Sequence, residues 1–165
     1  MAYDDREGLH GIGGWLAFFV FGFSFVSPLR LILTSYTSLY DDPQVAAILG
    51  DRWLAYQISS WALVGVGLAT IGYTTWRLFN RHDWLTVKIT MAAIVLISVG
   101  LILLDLAATV LIARVELGLL LPDTASALIR GVIYATIWIA YFQRSVRIRN
   151  TYGVVREDET AGIFD

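Results

Sequence analysis

The chain has 165 residues, of which 57% are hydrophobic, 13% aromatic and only 16% charged. A soluble domain is nearer about half apolar and about a quarter charged. A net charge of −2 gives no basic field for nucleic acid, and the lack of cysteine excludes disulfides, thiolate metal sites and cysteine nucleophiles.

The first residues, Met1–Gly14, are acidic, with Asp4, Asp5 and Glu7 against Arg6. A secretory signal has a basic start and a short apolar core. This chain has neither, so the first apolar run reads as a retained span. Four such runs follow, near residues 15–36, 54–79, 85–113 and 124–142. Each reaches the roughly 20 apolar residues that cross a bilayer core. The expected fold is all-α: an integral membrane bundle of four transmembrane helices. Residues 1–12 form an N-terminal segment, 13–143 the membrane domain and 144–165 a basic-then-acidic tail.

The first span carries phenylalanine on all sides (Phe18, Phe19, Phe21, Phe23, Phe25), as a lipid-facing helix can. Between the first two spans, Asp42 suits a helix cap, Pro43 a first helical position and Gly50 a stop. Val45, Ile48 and Leu49 share a face. A short interfacial helix is expected there, on the outer surface or over the bundle. In the second span, Ala62, Gly65, Ala69 and Gly72 recur at helical spacing. Small residues let membrane helices approach closely, and this stripe is expected to pack inside the bundle.

Charge sets the orientation. Arg77, Arg81, Lys88, Arg144, Arg147 and Arg149 fall on the side shared by the termini, against Arg52 and Arg114 on the other. Cytoplasmic loops carry the Lys/Arg excess, so both termini are expected in the cytoplasm. Aromatic belts agree, with Trp15, Trp76, Trp84 and Tyr141 at one interface and Tyr36, Tyr40, Trp53 and Tyr56 at the other.

Three charges lie inside spans: Arg30 just past Pro28, Asp105 and Arg130. At about 1.5 Å per residue, Arg30 is about 22 Å outward from Trp15, Asp105 about 25 Å from Lys88 and Arg130 about 20 Å from Arg144. All three fall in the outer half. Ser98, Asp105, Thr109 and Glu116 are expected along one side of the third span, and Ser126, Arg130, Tyr134 and Tyr141 along one side of the fourth. Gln57 and Ser60 sit at similar depth on the second. Together they suggest a polar pocket open outward, its mouth widened by a kink at Pro28. Two readings stand. In one, Asp105 pairs with Arg30 or Arg130 to fix helix register, and a spare arginine snorkels to headgroups. In the other, two arginines and one aspartate leave positive charge for an anionic solute or lipid, with Arg30, Asp105, Arg130, Gln57, Tyr134 and Glu116 as the candidate ligand-binding residues.

No zinc-protease motif, phosphate-binding glycine loop or nucleophile elbow is present. His10 and His82 read as surface histidines, and no cofactor is expected. No enzymatic activity is expected either.

Both ends of the membrane region carry a family resemblance. Gly11-Ile12-Gly13-Gly14-Trp15-Leu16 opens the first span. Trp138 to Tyr152, with Tyr141-Phe142, Ser145, Arg147 and Asn150-Thr151 at fixed spacing, closes the last. Together they resemble the bacterial domain-of-unknown-function family 2569, small four-span inner-membrane proteins. This chain has arginine where that family often has lysine in the tail, and Tyr152 where phenylalanine is common. The resemblance implies fold and inner-membrane location but no activity. On physical grounds, Arg144, Arg147 and Arg149 suit lipid headgroups or a partner, and Asn150 and Thr151 suit a helix cap or a grip on the Gly11–Gly14 turn. The first functional expectation is an accessory or scaffold subunit of a larger membrane protein complex. The alternative is a binder or transporter of a small anionic molecule or lipid.

Overall fold

A computed structural model of the protein describes residues 11–40 and 44–153. The described residues are helical, joined by short turns, with no strand. Four helices, over Trp15–Tyr40, Ala46–Asn80, Trp84–Ala113 and Leu120–Arg144, are long and apolar enough to cross a membrane. The chain is a multi-pass membrane protein. We label the helices α1 (Trp15–Tyr40), α2 (Gln44–Leu49), α3 (Trp53–Asn80), α4 (Trp84–Ala113), α5 (Leu117–Arg144) and α6 (Val146–Tyr152). The expected acidic N-terminal segment, His10, the Asp42–Pro43 cap and the acidic tail lie outside the described residues.

Local chemistry sets the boundaries. Asp83 starts α4: its Oδ1 accepts from the Thr86 backbone N–H and hydroxyl, both at 2.7 Å, filling an orphan donor of the first turn. The same carboxylate accepts from Arg77 Nη2 at 3.1 Å, tying the end of α3 to the start of α4. At the far end, α4 stops where Arg114 turns left-handed (φ 56°), and Arg52 donates to the Ala113 carbonyl at 3.2 Å. Helix α5 begins at Leu117, ahead of the expected residue 124. Pro122 and Asp123 break the apolar run without breaking the helix. Glu116 therefore flanks the start of α5 in a non-helical stretch and does not lie along α4, as expected from sequence. Helix α2 is six residues and leads through a short 3₁₀ turn into α3.

Helix α1 widens to a π-type turn over Gly22–Val26, just before Pro28, and the Ser27 hydroxyl donates to the Gly22 carbonyl at 3.3 Å. Proline lacks an N–H and its ring displaces the preceding turn; a wide turn absorbs both effects. Two similar turns interrupt α4, at Leu96–Gly100 and Thr109–Ala113.

The best-packed core lies in the half of the bundle that holds the termini. Phe19 and Phe23 of α1 are buried there, and Phe19 meets Trp138 at 4.7 Å and Phe142 at 5.0 Å. The phenylalanines of α1 are thus not all lipid-facing: Phe21 and Phe25 are exposed, while Phe19 and Phe23 are buried and Phe19 packs on Trp138 and Phe142 of α5. Close helix approach depends on two isolated glycines. A Cβ at Gly67 would strike Leu31 of α1 and reach Leu101 of α4 at 3.0 Å; one at Gly131 would land on the Ser98 carbonyl of α4. The expected seam is not where the sequence put it. Ala62, Gly65, Ala69 and Gly72 are all exposed, and a Cβ at Gly65 or Gly72 would meet nothing within 4 Å. The interior face of α3 runs instead through Ser60, Val64, Gly67, Ile71, Thr74 and Leu78.

Candidate functional site

The glycine contacts fix a common depth for the three span charges. Leu31, Gly67 and Leu101 lie at one level, and Gly131 sits between Ser98 and Ile102. Arg30 and Arg130, each one residue from that level, are therefore at nearly the same depth. Asp105, one turn past Leu101, lies about 6 Å nearer the end opposite the termini.

Direction follows from the same contacts, at about 100° per residue. In α1, Ser24 bonds Thr75 of α3 at 2.8 Å, while Phe23, one residue back, is buried against Phe19 on the α5 side. Leu31 repeats the approach to α3. Arg30, one residue back, accordingly turns toward α5. In α5, Gly131 faces α4, and Arg130, one residue back, is turned about 100° from that contact and is exposed. In α4, Leu101 reaches Gly67 of α3 and Ile102 reaches Gly131 of α5. Asp105 projects between those two directions, into the bundle. Arg30 and Arg130 thus lie at nearly one depth on exposed faces of the first and last spans, and Asp105 on the α4 face between α3 and α5.

The α1–α5 seam is made in the termini half by Phe18, Phe19, Trp138 and Phe142. Beyond the wide turn, the second part of α1 packs along α3. Arg30, Asp105 and Arg130 are all exposed. Among the described residues the one ion pair within 4.0 Å is Arg77–Asp83, so the expected pairing of Asp105 with Arg30 or Arg130 is not made. Arg130 Nη1 donates to Ser126 Oγ at 2.9 Å, one turn along its own helix. Tyr134 is partly covered, on the same face. Gln57 is engaged elsewhere: its amide donates to the Tyr40 hydroxyl at the end of α1. Glu116, exposed beside the start of α5, is not brought to the cluster.

Thr34 and Thr37 extend the Arg30 face by one and two turns and are exposed, each with its backbone or hydroxyl in a local bond: Thr37 Oγ1 donates to the Thr34 carbonyl at 3.0 Å. Their i+4 and i+7 spacing from Arg30 was the available signal. The exposed faces of α1 and α5 at this depth thus carry hydroxyls and one guanidinium each. Below it, toward the termini, lie Trp138 and the Phe19–Phe23 stack.

A second constellation closes the end that holds the termini. Helix α6 turns back after Ser145 and buries Ile148 and Tyr152 under the bundle. The Tyr152 hydroxyl donates to the Leu78 carbonyl at 3.0 Å, and its ring stacks on His82 at 5.7 Å. Burial pushes its phenol up to about 12. The Gly11 N–H donates to Thr151 Oγ1 at 2.9 Å, so Thr151 does grip the glycine turn. Arg147 lies against Gly13, where a Cβ would displace its guanidinium. The Asp83 carboxyl is held below its ordinary value, chiefly by the hydrogen bonds from Thr86 and also by Arg77.

A four-span membrane protein emerges, with α6 and the glycine turn packed against one end of the bundle. The two sequence motifs, far apart in the chain, meet at that end through Gly11–Thr151 and Gly13–Arg147. The chain belongs to the family described as protein of unknown function (DUF2569), which matches residues 9–153. No curated protein and no solved structure matches it.

Proposed function

We propose that the protein binds an anionic group in the crevice between its first and fourth spans. The observation behind this is that Arg30 and Arg130, on the first and fourth spans, lie at one depth, exposed and without an acidic partner among the described residues. A charged side chain at the bilayer centre costs about 2.5–3.5 kcal/mol on insertion scales, and such residues are normally paired. Asp105 offsets at most one of the two. A carboxylate or phosphate between the guanidiniums supplies the missing charge and accepts the forked hydrogen bonds arginine offers. The Lys/Arg excess on the side of the termini supports a cytoplasmic location for both, and hence a crevice that opens outward from a bacterial inner membrane. In that orientation α2 lies at the outer interface, and Arg144, Arg147 and Arg149 meet inner-leaflet headgroups. The binding site requires no chemistry on the ligand, so the protein acts as a binder or as one step of a transporter.

The test is thermal unfolding in neutral detergent with phosphate, citrate and a long-chain phosphate monoester, each compared with choline chloride at equal ionic strength. A ligand specific for the folded state stabilises it by about 2.7 kcal/mol at a hundredfold excess over Kd. Stabilisation by at least one anion, lost in Arg130→Gln, supports the site; none across the panel sinks it.

One observation favours an accessory role in a larger membrane protein complex. The line Ala62, Gly65, Ala69 and Gly72 is exposed, with open space beside Gly65 and Gly72, the surface a neighbouring helix needs for close approach. Gentle co-purification of wild type against Gly65→Leu separates this reading: a stoichiometric partner protein lost in the variant supports it, and an unchanged profile opposes it.

A further inference from the structure

We infer that the occupant of the crevice is an amphiphile, a lipid with one anionic headgroup, that enters sideways from the bilayer between α1 and α5. This rests on the anion-binding reading above and adds the source of the anion. The crevice changes character along its length. At the level of the arginines its walls are Arg30, Thr34, Ser126 and Arg130. One to two turns toward the termini, the lips become Val26 on α1 and Ile133 and Ile137 on α5, which are 51%, 55% and 60% exposed. Helix periodicity places Val26 about 40° from the Arg30 direction, and Ile137 about 20° from the Arg130 direction. The exposed Val26 and Ile137 therefore continue the faces of α1 and α5 that carry the arginines. A free anion has use only for the upper part, whereas a headgroup with its chain fits both in order.

Depth agrees. Arg30 lies about 15 Å from the Tyr40 end of α1, below the level where the span ends. A headgroup drawn down to the arginines leaves its chain running toward the membrane middle, along Val26, Ile133 and Ile137. A side entrance is possible because no loop joins α1 to α5, and beyond the wide turn α1 packs chiefly on α3. Charge complementarity selects the headgroup. Two arginines and one aspartate leave a single positive charge, which matches a phosphodiester with no cationic substituent and disfavours a zwitterion.

The experiment is native mass spectrometry of the full chain in neutral detergent, titrated with dioleoyl phosphatidylglycerol, dioleoyl phosphatidylcholine or glycerol 3-phosphate. One phosphatidylglycerol is expected to bind at least about tenfold more tightly than phosphatidylcholine, a ratio equal to a single unbalanced charge-assisted contact. Glycerol 3-phosphate is expected to bind weakly. Arg30→Gln with Arg130→Gln should abolish the headgroup preference, with Arg30→Lys retaining part of it. Ile137→Trp should weaken the lipid by filling the lower groove, while Leu103→Trp, on the opposite side of α4 from Asp105, should not. Each variant is first checked for wild-type elution and circular dichroism. Equal binding of both lipids, or a lipid affinity that Ile137→Trp leaves unchanged, overturns the amphiphile. Glycerol 3-phosphate binding as tightly as the lipid overturns it too, but leaves the anion site standing. No binding of any anionic species removes both.

Discussion

Replacing Gly131 with alanine tests the packing that holds the crevice in register. A Cβ there lands on the Ser98 carbonyl oxygen, far inside the 3.0 Å below which real Cβ contacts do not occur, and 3.0 Å from its carbon. The obstacle is backbone, within the wide turn Leu96–Gly100, so no side-chain rotation relieves it. Helix α5 must slide or tilt away from α4. Overpacking of this kind costs about 1–3 kcal/mol. Alanine also gains about 0.8–1 kcal/mol of helix propensity over glycine, which would mask part of the loss. Gly72→Ala removes that ambiguity, because it gains the same propensity with nothing within 4 Å to strike. The stability difference between the two variants isolates the clash, and should be about 1–3 kcal/mol against Gly131→Ala. The assay is reversible unfolding by SDS titration from mixed micelles, followed by circular dichroism. A difference under about 0.5 kcal/mol, within the usual scatter for surface changes, would refute the close approach of α4 and α5 at this glycine. The consequence reaches the site, since the same contact sets the depth of Arg130 opposite Arg30. Gly131→Ala should therefore also weaken stabilisation by anions.

Tyr152→Phe keeps the buried ring but removes the bond to Leu78; about 0.5–1.5 kcal/mol of stability should be lost, read as faster hydrogen exchange in α6. The pH dependence has a definite sign. The folded Tyr152 phenol is raised from 10.0 to about 12, so its contribution is complete below pH 10 and is lost as pH rises from there through about 12. Protection of α6 should fall over that window in wild type and not in Tyr152→Phe; equal profiles would contradict burial of the neutral phenol. Asp83 works in the other direction. Its carboxyl is lowered from 3.8, so its contribution is complete above that pH and disappears as pH falls through the depressed folded value. Asp83→Ala should lower the thermal midpoint at neutral pH and flatten the acid limb, whereas Asp83→Asn, which keeps an acceptor for Thr86, should lose less; identical midpoints would exclude the cap. Gly13→Ala should cost less than about 1 kcal/mol, because the atom in its way is the movable end of Arg147, and a larger loss in chemical denaturation would mean the guanidinium is fixed.

Length and hydropathy made the four spans legible, because nothing but a helix satisfies its backbone along 20 or more apolar residues in lipid. Thr151 against the glycine turn was legible too, through the paired motifs. The inward faces were not. In a helix that is apolar all round, hydropathy does not distinguish protein from lipid, so the regular stripe at Ala62, Gly65, Ala69 and Gly72 outweighed the lone Gly67 and Gly131 that make the contacts. Phe19 and Phe23 were hidden among uncovered phenylalanines for the same reason. Counting residues from the span ends gave the three charges similar depths, and the glycine contacts place Arg30 and Arg130 level. The missing ion pair was not readable from the chain: counting residues gives each charge a depth but not its facing, and the wide turn at Gly22–Val26, which shifts the phase of α1, has the neighbouring Pro28 as its sequence sign. Glu116 was misplaced because an αL residue at Arg114 ends α4 two residues earlier.

The chain contains no cysteine, so single thiols report on the crevice without background. The most direct measurement is the reaction rate of Thr34→Cys and Ser126→Cys with two methanethiosulfonate reagents of similar size, one bearing a sulfonate and one a trimethylammonium group. Thr90→Cys, at a fully buried position, serves as the control. Relative to a free thiol, both crevice positions should react and should favour the sulfonate, and the preference should vanish when Arg30 and Arg130 are changed to glutamine. Crevice thiols as inert as Thr90→Cys, or indifferent to reagent charge, would contradict an open anion-binding cleft between the first and fourth spans.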